Sequence, residues 1–403
     1  MDPAVIIPAF NRSGALKRLL GAIDRSFFFS KEVKIIISLD GGFSKDVLNI
    51  AEHFSNRFHK GKVDIIKRQK NLGVRDHILW CGNQTEKYGS VIVLEDDLYV
   101  NPNFYDFSIN AANFFKDEEY VAGISLYSYR YNEFAKLPFE PLNNGFDNYF
   151  MQTTSSWGQI WTKKQWQKFK QWYNHPDNLN IREYIDLPEA VLNWKESSWK
   201  KYFNKYLVDN DLYFVYPYTS YTTNFSDKGG VHNFKGTNIL QVPLNASIKR
   251  SNEYRFNTLN NSISVYDAFM EPTSDPFYCS LLEIGDEIEF DFYGIKPMEL
   301  LKKKKYVITT KRVNKCLRSF DLSLKPFENV LLDEHSHNSN RAVNFTTPEA
   351  IVSNKRKYLD RADYFSYHDL FNKKLIFMLI IKSIVRKVNS LFAMLKMNRK
   401  KYK

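Results

Sequence analysis

Through the first hundred residues, short unbroken apolar runs alternate with stretches whose apolar positions return every three or four residues. The runs are Ala4–Pro8, Val33–Leu39, Val63–Ile66 and Val91–Leu94, and each predicts a buried strand. Between them, Leu16, Leu19, Leu20 and Ile23 predict a helix that Asn11 or Ser13 can cap. Val47, Ile50, Ala51 and Phe54 predict a second helix from Ser44 to about Phe58, and Leu72–Lys87 reads as a third. Buried strands separated by amphipathic helices define an α/β fold, a mostly parallel sheet with helices on both faces. In such sheets ligands bind beyond the carboxyl ends of the strands. The polar residues that follow each run are therefore the ones to read.

The texture changes near residue 250. Asn and Ser cluster at 251–263, and Glu287–Tyr293, Lys305–Thr310 and Val330–Leu332 read as short strands between polar turns. The pattern divides the chain into residues 1–250, a smaller mixed or β-rich accessory region at 251–370, and a tail at 371–403. In the tail Ile376, Leu379, Ile380, Ile384, Val388, Leu391, Phe392 and Leu395 form one apolar stripe of a helix.

Composition narrows the class. Apolar residues make up 43% of the 403 and charged residues 25%, a folding composition. Aromatics reach 16%, which raises the expectation of exposed stacking surfaces. Three scattered cysteines, Cys81, Cys279 and Cys316, make neither a disulfide framework nor a CxxC metal site and favour a reducing compartment. The net charge of +12 is concentrated: residues 372–403 hold ten Lys and Arg and no acid, leaving +2 for the rest. A globally basic nucleic-acid binder is thereby excluded. The start shows no signal-peptide pattern, and the longest wholly apolar run, Leu375–Ile381, is shorter than the ~20 residues that span a bilayer. A basic amphipathic helix of this kind suits an anionic membrane surface; an oligomerisation helix or one docked on the main domain is the plain alternative.

The sharpest chemical signal is the fourth run, which delivers Glu95, Asp96 and Asp97 to its end. Three adjacent carboxylates repel and need a cation or donors to neutralise them. A hard divalent ion shared with substrate phosphates fits, whereas capping of the next segment is the structural alternative. Asp40, before Gly41-Gly42, can face the crevice and accept from a base N–H, or simply close an Asp-Gly turn. Arg12, after Pro8-Ala9-Phe10-Asn11, can pair with phosphate or contact a nucleoside, or be an ordinary surface arginine.

In combination, Pro8–Arg12, Asp40-Gly41-Gly42, His77-Ile78-Leu79-Trp80, Glu95-Asp96-Asp97 and Gly229-Gly230-Val231-His232 resemble a GT-A glycosyltransferase. The likeness, over roughly residues 3–240, is closest to the N-acetylglucosaminyltransferase I type and related bacterial enzymes that build surface polysaccharides. It implies a Rossmann-like fold and a direct, inverting transfer from a UDP-sugar donor to a saccharide or lipid-linked saccharide acceptor. Pro8, Ala9, Phe10 and Arg12 would line the nucleoside site, with Asp40 and His77 at the uracil. Asp97 would anchor Mn²⁺ or Mg²⁺, while Glu95 and Asp96 would bind donor-sugar and ribose hydroxyls. Trp157 and Gly158 resemble the stretch lining the donor pocket, with Trp161 read as core. Lys228 and His232 belong to a loop resembling the one that closes over the pyrophosphate. For the catalytic base, the stretch Trp194-Lys195-Glu196-Ser197-Ser198-Trp199 offers Glu196, with Glu189, Asp186 or Glu183 as substitutes. Such an enzyme would work in the cytoplasm, peripheral on the inner face of a bacterial membrane. A nucleotidyltransferase is a second reading, though Pro8–Ser13 lacks the repeated glycines it needs; a catalytically silent scaffold of the same fold is a third.

Overall fold

A computed structural model describes residues 2–29, 32–181, 184–227, 237–273, 287–320, 343–353, 376–378 and 380–385. Along residues 2–115 the elements are β1 (Ala4–Ala9), α1 (Ser13–Asp24), β2 (Val33–Leu39), α2 (Lys45–Arg57), β3 (Gly61–Lys67), α3 (Gly73–Asn83), α4 (Thr85–Tyr88), β4 (Ser90–Val93), β5 (Leu98–Val100) and α5 (Phe104–Phe115). There follow β6 (Val121–Ser125), β7 (Tyr131–Asn132), β8 (Leu137–Pro138), β9 (Asn148–Met151), β10 (Gln159–Thr162), α6 (Lys163–Tyr173), α7 (Glu189–Leu192), α8 (Trp199–Asp209), β11 (Tyr213–Pro217) and β12 (Thr222–Asn224). Later strands are β13 (Val265–Tyr266), β14 (Ile288–Asp291), β15 (Tyr306–Thr309), β16 (Arg318–Phe320) and β17 (Val343–Thr346).

The main sheet has nine strands in the order β13-β9-β11-β6-β10-β4-β1-β2-β3. Its β3-β2-β1-β4 half is parallel, with Ile6 opposite Ile36 and Val93. Two helix groups flank the sheet, α1 with α2 and α3 with α6 and α8. The β1, β2 and β4 runs are almost wholly buried, as strands covered on both faces must be. β3 ends the sheet and carries Lys62, Asp64 and Lys67, charges that keep an open edge from pairing with another chain. The sheet is parallel only in the main: β10 enters antiparallel between β4 and β6, and β9 lies antiparallel to β11. That reversal puts the residues before β10 at the same edge as those after β4 and β6.

Local signals cap two of the helices. Ser44 Oγ accepts from Val47 N–H at 3.3 Å to cap α2, and Thr162 with Gln165 forms a reciprocal capping box on α6. The expected Leu72–Lys87 helix is broken at Gln84 into α3 and α4. For α1 the capping position is Arg12 rather than Asn11 or Ser13, and it makes no side-chain cap. Its guanidinium is free for another task.

The aromatic surplus goes inward rather than outward. Trp161, Trp166, Tyr127, Tyr129, Tyr149 and Tyr216 are among the largest fully buried side chains. Trp161 stacks against Phe203 and meets Trp166 and Trp199 edge-on or tilted, a cluster that seals α6 and α8 to the sheet.

Beyond residue 250, β13 still adds to the main sheet by pairing with β9. β14, β15, β17 and β16 form a separate four-stranded sheet around Phe290, Phe292, Ile308 and Phe345. Lys296, 1% exposed, pairs with Asp267 beyond β13 and with Glu289 of β14, tying the two regions by a buried ion network. The expected strand at Val330–Leu332 lies outside the described residues, as does most of the tail. Residues 376–378 and 380–385 are helical, with Phe377, Ile380, Ile381 and Ile384 exposed. Among the described residues, no helix is long and apolar enough to cross a membrane.

Candidate active site

Three strand ends meet around one cavity of about 400 Å³. Residues Pro8–Arg12 enter from β1, Asp40 from β2, and Glu95 and Asp96 from β4; Asn71, Gly73, Val74, His77 and Ile78 complete the wall from α3 and its approach. The cavity thus sits beyond the carboxyl ends of adjacent parallel strands, where the fold rule locates ligands.

Asp40 is 4% exposed, and its carboxylate accepts three backbone N–H groups: Gly41 at 3.0 Å, Leu72 at 2.8 Å and Gly73 at 3.1 Å. The last two open α3, so a side chain from β2 caps a helix thirty residues away. Asp40 closes the Gly41 turn and also lines the cavity. Gly41 is obligatory here: a Cβ would fall 2.2 Å from the Lys70 carbonyl carbon and 2.4 Å from Asn71 N.

His77, 5% exposed, shares a 2.8 Å hydrogen bond between Nε2 and Ser38 Oγ, with Nδ1 3.9 Å from Asp40 Oδ2. Burial pulls its pKa down to about 4 against the pull of Asp40, so the imidazole is neutral at pH 7. Arg68, which sequence reasoning did not single out, donates to the same Ser38 Oγ at 3.2 Å and stacks 4.1 Å from the Trp80 ring centroid. Asn71 was also passed over; its Nδ2 donates to Gly41 O at 3.1 Å. The Asn71-Leu72-Gly73 turn was the available signal.

The acids have a counter-ion within the chain. Arg12 Nη1 donates to Asp97 Oδ2 at 2.6 Å, and Nη2 pairs with Asp96. Burial works against the guanidinium's charge, yet Asp96 and Asp97 hold its pKa above the ordinary value. Asp96 is raised to about 6 by burial, with Arg12 opposing and Asp97 adding. Burial and then the charge of Asp97 push Glu95 up to about 8. Asp97, 8% exposed, also accepts from Asn224 Nδ2 at 3.3 Å. That asparagine arrives because β12 pairs antiparallel with β5. Phe225 N–H then donates to Asp97 O at 3.1 Å, and Asp227 pairs with Arg18 of α1. The segment that continues into Lys228 and His232 therefore leaves from beside Asp97, while Lys228 and His232 themselves lie outside the described residues.

The other sequence candidates stand around the cavity rather than in its wall. Trp157 is 8% exposed and packs on Tyr127 and Tyr129. Gly158 has φ +94°, and a Cβ would press on Thr222 and Leu126. Glu196 is not brought to the cavity. Its carboxylate accepts from Lys201 Nζ at 3.0 Å and from Tyr202 OH, and these hydrogen bonds lower its pKa, a state that disfavours taking a proton. Of its substitutes, Asp186 pairs with Lys303 at 2.7 Å, Glu189 opens α7, and Glu183 lies outside the described residues.

The mostly parallel sheet with an inserted antiparallel strand, and the acid triplet at the rim of a cleft over its first strands, agree with the GT-A fold that the sequence resemblance implies. Residues 4–169, from β1 through the start of α6, match the model of glycosyl transferase family 2. Similar crystal structures include S. aureus TarS 1–349, at 16% identity and a TM-score of 0.37, over 55% of this chain and 60% of that one. The same protein in complex with UDP-GlcNAc is 15% identical with a TM-score of 0.36, over 55% and 58%. GalNAc-T7 with UDP, GalNAc and Mn²⁺ is 9% identical with a TM-score of 0.38, over 55% and 43%. The chain thus spans about 60% of the TarS fragment it resembles. No curated protein matches the chain significantly.

Proposed function

We propose that the protein moves a hexose or N-acetylhexosamine from a UDP-sugar to a hydroxyl of a saccharide or lipid-linked saccharide, with inversion. One observation carries this reading: Phe10, Arg12, Asp40, His77, Glu95 and Asp96 wall a single cavity, although they are scattered over ninety residues of chain. Phe10, 39% exposed at the cavity, offers a face for a base, and the Asp40 carboxylate keeps part of its accepting capacity for a ring N–H. Neutral His77 can donate or accept beside it. Glu95 and Asp96 would hold donor-sugar and ribose hydroxyls, and Trp157, Gly158, Lys228 and His232 would close the donor side.

The residues at the rim fit a Mn²⁺ or Mg²⁺ ion. Asp96 and Asp97 are hard oxygen donors, and among the described residues no third His, Cys, Asp or Glu joins them. Asp97 would hold the ion, a single carboxylate being compatible with a magnesium-type site that shares its ion with substrate phosphates. When bound, the ion supplies charge neutralisation for the departing diphosphate. The chain's own part is to orient the donor through Asp40, His77 and Glu95 and to offer Arg12 as a second cation near the phosphates. Glu196 is retained as a candidate proton acceptor, poor in basicity though it is.

The tail supports a place on the inner face of a bacterial membrane, through ten basic residues at 372–403 and the exposed apolar side chains of its described helix. The decisive experiment on the activity is release of UDP from a panel of UDP-sugars with Mn²⁺. Asp97→Asn should cut turnover at least a hundredfold while the melting temperature stays near wild type; undiminished turnover defeats the proposal.

A further inference from the structure

The strand order sets a second group of side chains next to the nucleotide cavity. Because β10 is antiparallel to both β4 and β6, Trp157 and Gly158 lie at the edge where β4 delivers Glu95 and β6 delivers Leu126 and the chain beyond it. From β4 to β6 is two strand spacings, about 10 Å. Here Lys200, on the first turn of α8, lies across Trp157. Its ammonium is 5.3 Å from the Trp157 ring centroid and 5.1 Å from that of Trp194. It donates to Glu133 Oε1 at 3.3 Å, and Tyr129 OH donates to the same oxygen at 3.2 Å. Glu133 comes from the turn between β7 and β8, Trp194 from the segment between α7 and α8, and Trp157 from before β10, so three distant stretches converge on one ammonium. Glu95, which lines the cavity, follows the β4 strand that pairs with the strand opening just after Trp157, so the two groups share one edge of the sheet.

Lys200, Glu133 and Trp194 are all partly exposed, so solvent reaches the group. The partly exposed Trp194 indole beside a carboxylate and an ammonium suits a polyol. The C–H face of a sugar ring packs on the aromatic surface, while its hydroxyls donate to the carboxylate and accept from the ammonium.

We propose that Trp194, Lys200 and Glu133, seated on the buried Trp157, form the subsite for the acceptor saccharide, with Lys200 and Glu133 hydrogen-bonding its hydroxyl groups at the flank of the donor cavity. The role as acceptor site rests on the donor reading above; saccharide binding itself does not. The test presents the full-length protein, with UDP, to an array of immobilised oligosaccharides, and measures the UDP-induced rise in melting temperature in parallel. Glu133→Gln and Lys200→Met should each weaken binding of the wild-type glycan partners at least tenfold, with Lys200→Arg restoring part of it. The UDP-induced rise should be the same in all four proteins. Wild type that captures no glycan overturns the subsite, as do variants that bind like wild type. Should Lys200→Met fail to fold, the near-isosteric Glu133→Gln decides alone. Glycan binding that falls in the variants of a protein unaffected by UDP upholds the subsite and defeats the donor reading.

Discussion

Replacing Asp40 separates what the residue does for the fold from what it does for the ligand. Asp40→Ala strips the carboxylate from Gly41, Leu72 and Gly73 N–H groups, two of which begin α3. Loss of a helix cap costs about 1–2 kcal/mol. Hydrogen bonds to a charged acceptor are worth about 1.5 kcal/mol or more each, but water entering from the cavity recovers part of that. A net loss of about 3 kcal/mol follows, or roughly 6 °C in melting temperature at about 2 °C per kcal/mol for a chain of this size. The ligand effect is read as the further rise on adding UDP. On the proposed donor reading, UDP at a hundred times its dissociation constant would stabilise wild type by about 2.7 kcal/mol. If the contact to the base is worth tenfold in affinity, the same UDP concentration stabilises Asp40→Ala by about 1.4 kcal/mol, half as much. Thermal melts of both proteins, with and without UDP, give the two numbers. A variant that melts like wild type refutes the capping role, and an undiminished UDP increment refutes contact with the base.

Three further outcomes follow from the same geometry. Gly41→Ala drives a Cβ into the Lys70–Asn71 backbone and should destabilise by about 1–3 kcal/mol and blunt the UDP increment, whereas Gly14→Ala, with nothing within 4 Å, should be neutral or mildly stabilising; equal melts for the two contradict the model of the wall. His77 has a folded pKa of about 4 against an ordinary 6.5, so the unfolded chain takes the proton first and stability is lost as pH falls from 6.5 toward 4. Between pH 7 and pH 5 this group should remove about 2 kcal/mol, a loss that urea denaturation finds smaller in His77→Gln; identical pH slopes count against it. Deleting residues 372–403 should abolish flotation with anionic vesicles, and equal flotation rules the tail out as the anchor.

Hydrophobic periodicity by itself determined the early strands and helices, because a strand buried on both faces must be apolar throughout and a helix on a sheet must carry one apolar stripe. Val33–Leu39 coincides with β2 for that reason, and two of the acids following Val91–Leu94 line the cavity at the end of the sheet. What tertiary structure decided are the contacts between residues distant in the chain. The cap of α3 is Asp40 rather than a residue at its own start, the cation on the acids is Arg12 from the turn between β1 and α1, and the antiparallel entry of β10 brings Trp157 to the edge that carries the acids. None of these leaves a local signature. A hydrogen bond or ion pair across thirty or eighty residues depends on strand order, and strand order is settled by how the whole sheet packs.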